Sequence, residues 1–135
     1  MSSYGFVELD RSECEHLLTT QRVGRVALCS DRPVVLPVVY TMFEGDVVFR
    51  TAPGAKLIAA ALHATVAFEV DSFDEHAQTG WSVDVVGEIA EIVHPDELTR
   101  VQALDLPVWA TEVRDRFVRI RAEEITGRRL VGASV

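Results

Sequence analysis

The sequence predicts a mainly β protein, a small β-barrel with short peripheral helices, in one domain spanning residues 1–135. About six segments rich in β-branched and aromatic residues are joined mostly by short links, which favour antiparallel pairing. The longest segment, WSVDVVGEIAEIV, carries Gly87 in its interior. A glycine inside a long strand indicates a bulge or bend, and such a bend lets a small sheet curl into a barrel.

Three short helices are predicted around these strands. The first, LDRSECEHLLTTQ, begins after Asp10, and Glu13 three residues later completes the pattern of a capping box. KLIAAALH predicts the second helix. HPDELTRVQAL predicts the third, with Pro95 near the first helical position, where its missing N–H costs nothing.

The predicted strands are, in order, VGRVALCS, VVLPVVYTMF, VVFRT, TVAFEVD, WSVDVVGEIAEIV and RFVRIRAEEITGRRL. The short turn EGD makes the second and third a hairpin. Pro37 lies in the middle of the second strand and has no N–H to give to a ladder. It therefore predicts an edge, a bulge or an unpaired stretch, where the backbone is free to contact a ligand.

The charge balance excludes some partners. The chain has 13 Lys and Arg against 21 Asp and Glu, a formal net charge of −8. Nucleic acids and anionic membranes require a basic surface, so neither is an expected partner. The sequence has no apolar run near the roughly 20 residues of a membrane helix, and its start, MSSYGFVELD, does not resemble a signal peptide. We expect a cytoplasmic protein.

The usual catalytic and metal-binding motifs are missing from the sequence. There is no GxSxG, HExxH, GxGxxG or P-loop pattern, and no metal site is predicted. Cys14 and Cys29 form neither a CxxC pair nor a zinc pattern, and we interpret both as buried reduced thiols. If the protein is an enzyme, its chemistry belongs to a cofactor.

FRTAPGAKL, residues 49–57, is the strongest candidate for a binding site. Arg50 offers a planar fork of donors suited to phosphate, and Thr51 adds a hydroxyl donor. Gly54 allows close backbone approach, and Lys56 lies at a helix start, where N–H groups favour an anion. The stretch indicates a phosphate site, and the alternative is solvated charge around a loop.

The segment GWSV suggests a second contact. Trp81 could form a wall for a flat ligand, with Ser82 as a polar contact, or it could be an ordinary core tryptophan.

Taken in order, VGRVAL, LPVVYTMFEGDVVFRTAPGAKL, VAFEVD and GWSVDVVGEIAEI resemble the flavin-binding split-barrel superfamily. The most similar group is the small pyridoxamine 5′-phosphate oxidase-like proteins of actinobacterial type, over about Val23 to Val93. The resemblance implies a six-stranded antiparallel split β-barrel of the FMN-binding type. It also implies a homodimer with two cofactor clefts between its subunits.

The resemblance also assigns roles to residues. The strand LPVVY would present its backbone to the flavin ring, which implicates Pro37, Val38, Val39 and the nearby Tyr40. The phosphate would be bound by Arg50, Thr51 and Lys56. Trp81 and Ser82 would come from the partner subunit and close the cleft.

The implied activity is that of a flavin-dependent oxidoreductase with a small electron acceptor and FMN as cofactor. A deazaflavin is the alternative cofactor, and haem is the less favoured one. The chain lacks the C-terminal Arg- and His-bearing segment of true pyridoxamine phosphate oxidases, so that reaction is not expected. A binding protein without turnover and a purely structural barrel dimer stay open. Tyr40 is the candidate acid or base, and Arg128 and Arg129 have no assigned role.

Overall fold

The fold is described from a computed structural model, which describes residues 5–29, 31–54, 59, 62–104, 106 and 116–131. Eight strands and two helices lie in these residues. In chain order they are β1 (Gly5–Glu8), α1 (Arg11–Leu18), β2 (Val23–Cys29), β3 (Pro33–Phe43), β4 (Asp46–Thr51), β5 (Thr65–Asp74), β6 (Thr79–Glu91), α2 (Pro95–Gln102), β7 (Arg116–Ile120) and β8 (Glu124–Val131).

Six of the strands close a barrel in the order β2–β3–β4–β7–β6–β5, and every pairing is antiparallel. This confirms the predicted six-stranded antiparallel barrel. The prediction missed β1, which pairs with β8 beside β6. It also joined β7 and β8 into one strand, whereas residues 121–123 between them are not in a strand.

The barrel consists of two sheets that share its two longest strands. Sheet A contains β1, β8, β5, β2 and the first parts of β6 and β3. Sheet B contains β4, β7 and the last parts of β3 and β6. We call the side of each sheet that turns away from the barrel interior its outer face.

Gly87 lies where β6 changes partner. Residues 80–86 pair with β8, and residues 89–91 pair with β7. A Cβ atom at Gly87 would lie 1.8 Å from the carbonyl oxygen of Arg121, so no larger residue fits this close approach. The glycine predicted to mark a bend thus lies at the junction of the two sheets.

The main core fills the barrel interior. Val26, Phe49, Phe68, Val85 and Ile120 are among its fully buried members, and Cys14 and Leu18 of α1 join them. A second cluster lies between the outer face of sheet B and α2. Its buried members are Phe43, Val48, Ile92, Val101, Leu106 and Phe117.

Both described helices begin as predicted. The Asp10 carboxylate accepts a hydrogen bond from the Glu13 N–H at 2.8 Å, and α2 has Pro95 in its first turn. The His94 ring accepts from the Asp96 N–H at 3.3 Å, which adds a cap that the sequence had not specified. Residues 55–58, 60 and 61 lie outside the described residues, and with them most of the predicted second helix.

The two cysteines differ in exposure. Cys14 is buried, as predicted, and burial raises the pKa of its thiol. Cys29 is exposed at the end of β2, opposite Pro33, so the prediction of a buried thiol was wrong there. Neighbouring residues of a strand alternate between its two faces, and Cys29 shares the exposed face of β2 with Val23 and Arg25.

Candidate functional site

β3 and β4 pair over only part of their lengths. Their register runs from Phe43 opposite Asp46 to Tyr40 opposite Phe49 and ends there. Residues 33–39 of β3 pair with β2 on their other edge, while the end of β4 stays paired with β7. Within the described ranges the strands therefore diverge. We call the opening between residues 33–39 and the end of β4 the β3–β4 split.

Pro37 lies on the free edge of β3. It pairs with Arg25 of β2 on one side, and no described strand pairs with its other side. The structure thus provides the unpaired stretch that the proline predicts. The two valines that follow it alternate, since Val38 is buried against the main core and Val39 packs on the second cluster.

Arg50 and Thr51 end β4 at the split, but their side chains lie on opposite faces of sheet B, because neighbouring strand residues alternate. The Arg50 guanidinium lies on the outer face, 5.3 Å from the centre of the Phe117 ring. Thr51 is buried on the inner side, and its hydroxyl donates to the Ala52 carbonyl at 3.0 Å. A ligand that contacts both must lie at the strand edge.

The loop after β4 is described only as far as Gly54. Its Cβ position has no atom within 4 Å, so crowding does not require a glycine there. Lys56 lies outside the described residues, and its role at a phosphate stays a prediction.

Tyr40 lies at the point where β3 passes from sheet A to sheet B. Its ring is buried and meets Phe68 edge-on, with 4.8 Å between ring centres. The hydroxyl donates to the Leu18 carbonyl at the end of α1, at 2.6 Å. Burial raises the pKa of this phenol well above its usual range. The hydroxyl is therefore engaged in the core, and only the backbone of Tyr40 lies beside the split.

Trp81 and Ser82 lie on the first part of β6, which pairs with β8 and not with β7, the neighbour of β4. β5 and β2 lie between β6 and β3. Trp81 is 8% exposed and packs in the main core, and Ser82 points to the outer face of sheet A. A single chain does not bring either residue to the split, so their contribution from a partner subunit stays a prediction.

A charged group on the outer face of sheet A escaped sequence reasoning. The Arg25 guanidinium lies 3.4 Å from the Glu69 carboxylate and 3.7 Å from that of Asp71. Burial, together with the hydrogen bond and negative charge of Asp71, raises the pKa of Glu69 to about 7. Burial also raises the pKa of Asp84, which lies opposite Glu69 on β6. Alternation in TVAFEVD places Glu69 and Asp71 on one face, but only the β2–β5 register reveals Arg25.

The two arginines left unassigned lie side by side on β8. Arg128 is on the outer face of sheet A, 4.7 Å from the centre of the Phe6 ring. Arg129 points to the other face and pairs with Val7 and Trp81 in register. Both belong to a paired strand.

Two further features concern metals and membranes. In the part of the chain that the structure describes, no three His, Cys, Asp or Glu side chains are grouped as metal ligands would be. No helix among the described residues has the length and apolar character needed to cross a bilayer.

The sequence and the fold both match known proteins. A family model for pyridoxamine 5′-phosphate oxidase matches residues 10–129. The chain belongs to this family. One relative is an uncharacterised protein of Mycobacterium tuberculosis. It is 37% identical to this chain over 134 residues, which cover 95% of this chain and 88% of the relative.

Two solved structures extend the likeness to the fold. The FAD-binding protein of Mycobacterium smegmatis superposes with a TM-score of 0.77 at 32% identity, covering 91% of this chain and 98% of its own. A FAD-binding protein of Mesorhizobium loti superposes with a TM-score of 0.78 at 26% identity, covering 96% and 99%. These matches confirm the resemblance seen in the sequence and the split-barrel fold of this pyridoxamine 5′-phosphate oxidase family member.

Proposed function

We propose that this protein binds a flavin in the β3–β4 split and uses it, as a homodimer, to pass electrons to a small acceptor. The observation that carries the proposal is the divergence of β3 and β4 beside Arg50 and Thr51. The two FAD-binding neighbours, alike over nearly their whole lengths, support it.

The free edge of β3 suits the flat ring of a flavin. Its backbone donors and acceptors at residues 33–39 face away from β2, and an isoalloxazine ring carries polar atoms along one edge that could pair with them. Pro37 leaves out one donor, and Val38 and Val39 anchor the strand to the clusters on either side. The ring would thus meet a rigid backbone edge.

The end of β4 suits the phosphate. Arg50 can approach the strand edge from the outer face and Thr51 from the inner side, although Thr51 must release its bond to Ala52 to donate. Charge-assisted hydrogen bonds of this kind are short and strong. Lys56 would add a further cation from the following segment.

The phosphate contacts alone do not distinguish one flavin from another. FMN, FAD and a deazaflavin all carry a phosphate, so Arg50 and Thr51 suit each of them. FMN is the cofactor that the sequence suggests, and the two neighbours favour FAD. A flavin supplies the hydride and electron transfer, and the chain supplies position and charge.

The engaged hydroxyl of Tyr40 favours a second candidate, a flavin-binding protein without turnover. Tyr40 was the predicted acid or base, and its hydroxyl donates to Leu18 inside the core. Oxidation of reduced nicotinamide with an artificial acceptor separates the two functions. Turnover by the flavin-loaded protein supports the oxidoreductase, and its absence with flavin fully bound supports the binder.

Replacement of Arg50 tests the site. In Arg50→Ala we expect the affinity for FMN and FAD to fall by about 1.5–3 kcal/mol, the scale of a hydrogen bond to a charged group. Riboflavin lacks the phosphate, so its affinity should not change. Fluorescence titration measures all three ligands.

Arg11→Ala is the matched control, because Arg11 is an exposed arginine of α1 paired only with Glu15 in the described contacts. If Arg50→Ala binds FMN, FAD and a deazaflavin as tightly as the control does, the phosphate assignment is wrong. A stable monomer that still holds flavin would contradict the shared cleft.

A further inference from the structure

The Arg50 guanidinium is held on the side of β4 that faces away from the β3–β4 split. Arg50 is the cross-strand neighbour of Phe117 on β7, and its guanidinium lies over the Phe117 ring, 5.3 Å from the ring centre. The strands follow one another in the order β3, β4, β7, so the ring and the split lie on opposite sides of β4. The cation proposed for the phosphate thus contacts an aromatic ring beyond the far edge of its own strand.

This ring is a fixed partner for the arginine. Phe117 is 5% exposed and belongs to the second cluster with Val48 and Val101, between sheet B and α2. Arg50 itself is half-buried. A cation over the face of a ring is attracted by the ring quadrupole, and the attraction grows as water is excluded. The contact therefore stabilises one position of a side chain that would otherwise sample many.

A phosphate in the split is out of reach from this position. A ligand that contacts both Arg50 and Thr51 lies at the edge of β4 that faces β3, because the two side chains leave opposite faces of the strand. The ring belongs to β7, one strand spacing of about 4.8 Å to the other side, whereas a hydrogen bond spans about 3 Å. The guanidinium must leave the ring and cross β4 to donate to the phosphate.

We propose that Phe117 competes with the flavin phosphate for Arg50, and so sets how strongly the protein prefers phosphorylated flavins over riboflavin. The proposal rests on the flavin site of the proposed function and adds a residue that determines its specificity. Binding exchanges the contact between Arg50 and the ring for charge-assisted hydrogen bonds to the phosphate. The fraction of molecules in which Arg50 has left the ring therefore limits the apparent affinity.

Removal of the ring tests this competition. In Phe117→Leu the arginine loses the aromatic face, while the cluster keeps an apolar side chain. We expect the affinity for FMN and FAD to rise by about two- to fivefold, the scale of a cation–π contact at a partly exposed site. The affinity for riboflavin, which has no phosphate, should stay the same. Fluorescence titration measures all three ligands.

Phe43→Leu is the matched control, because it makes the same change in the same cluster, beside the first residue of β4 instead of its end. Arg100 and Arg119 lie over the Phe43 ring, at 5.4 and 5.8 Å from its centre. This variant should bind FMN, FAD and riboflavin as the wild type does. An affinity for FMN that is unchanged or lowered in Phe117→Leu overturns the proposal, and so does an equal rise for riboflavin.

A double variant shows whether Phe117 acts through Arg50. In Arg50→Ala the ring has lost its cation, so the addition of Phe117→Leu should leave the affinity for FMN unchanged. A gain of the same size with and without Arg50 overturns the competition.

The same variants separate this proposal from the proposed function. If Arg50→Ala weakens FMN binding and Phe117→Leu does not strengthen it, only the competition is wrong. If Arg50→Ala binds FMN as tightly as Arg11→Ala does, the phosphate assignment fails and the competition fails with it.

A measurement on the wild type tests the movement without any change to the core. Nuclear Overhauser effects between the side-chain protons of Arg50 and the ring protons of Phe117 should be present in the ligand-free protein. Saturation with FMN should remove them, and saturation with riboflavin should not. Effects that persist unchanged with FMN bound would show that the arginine stays on the ring, which overturns the proposal.

Discussion

The two sheets each carry an arginine between two carboxylates, and the surroundings of these arginines differ. On sheet B, Arg119 lies 3.3 Å from Asp46 and 2.8 Å from Glu97, and its side chain is 9% exposed beneath α2. On sheet A, Arg25 lies between Glu69 and Asp71, and its side chain is 51% exposed. Among the described elements, α2 covers the first group and no helix covers the second.

Because of this difference, the pKa of a carboxylate shifts in opposite directions in the two groups. The hydrogen bond from Arg119 lowers the pKa of Glu97, whereas burial and Asp71 raise that of Glu69 despite Arg25. Arg119 thus satisfies its partners, and Arg25 leaves an excess of carboxylate on the open face. An arginine–carboxylate group in this barrel is structural where a helix covers it and is available for contact where none does.

The largest effect is expected where the two sheets join. Gly87→Ala should destabilise the protein by more than about 3 kcal/mol, because its new Cβ would lie 1.8 Å from the Arg121 carbonyl oxygen. Urea unfolding measures the change. Gly5→Ala, where no atom lies within 4 Å, is the control and should change little. A Gly87→Ala protein as stable as the control would mean that the junction yields easily.

The two arginines should differ in their contribution to stability. Arg119→Met leaves Asp46 and Glu97 without their partner beneath α2, and we expect a loss of about 3 kcal/mol. Arg25→Met removes a solvent-screened pair and should cost less than about 1 kcal/mol in the monomer. Equal losses in thermal or urea unfolding would break the distinction between the covered and open groups.

Tyr40 tests β3, one of the two strands that both sheets share. Tyr40→Phe removes the hydroxyl bonded to Leu18, and a loss of about 1–1.5 kcal/mol is expected. Because burial raises the pKa of Tyr40, its bond stabilises the protein fully below the ordinary phenol value of 10.0 and progressively less above it. The wild type should therefore lose stability above about pH 10 more steeply than the variant. If the stability of the wild type and of Tyr40→Phe fell with the same slope above pH 10, the hydroxyl would ionise as readily in the folded state as in the unfolded state.

The smallest effects are expected for Glu97 and Glu69. Their contributions to the stability of the protein should depend on pH in opposite directions. Glu97 has a lowered pKa, so its stabilisation is present above its ordinary value of 4.5 and is lost as the pH falls below it. Glu69 has a pKa raised to about 7, so its contribution is present below 4.5 and is lost as the pH rises toward 7.

Glu97→Gln should flatten the loss of stability in acid. Glu69→Gln should stabilise the protein above neutral pH by about 1 kcal/mol, after allowance for the solvent that screens this third-exposed side chain. Chemical unfolding at a series of pH values measures both. A destabilised Glu69→Gln at high pH would contradict the charge excess on sheet A.

Local signals in the sequence were sufficient for much of the fold. Asp10 and Glu13 mark a helix start, Pro37 marks a free edge, and Gly87 marks the sheet junction, because each acts through its own backbone. β1 was missed because its four exposed residues show no buried face. That residues 1–135 form one domain remains a prediction.

The candidate site was predicted less completely, since it depends on register. The predicted strand VVFRT ends at Thr51, as β4 does, but the divergence of β3 from this end of β4 follows only from the register. The partners of Arg25 and of Tyr40 lie 44 and 22 positions away, too far for any local pattern to indicate.

The two partners of β6 also bear on how the chain acquires its shape. β7 and β8 border successive parts of one edge of β6, and β7 alone joins β6 to β4. These are the last of the described strands to leave the ribosome. Until they emerge, β4 and β6 both expose ladder groups, and the ring cannot close. Barrel closure therefore waits for these strands and joins distant parts of the chain, and such topologies fold slowly.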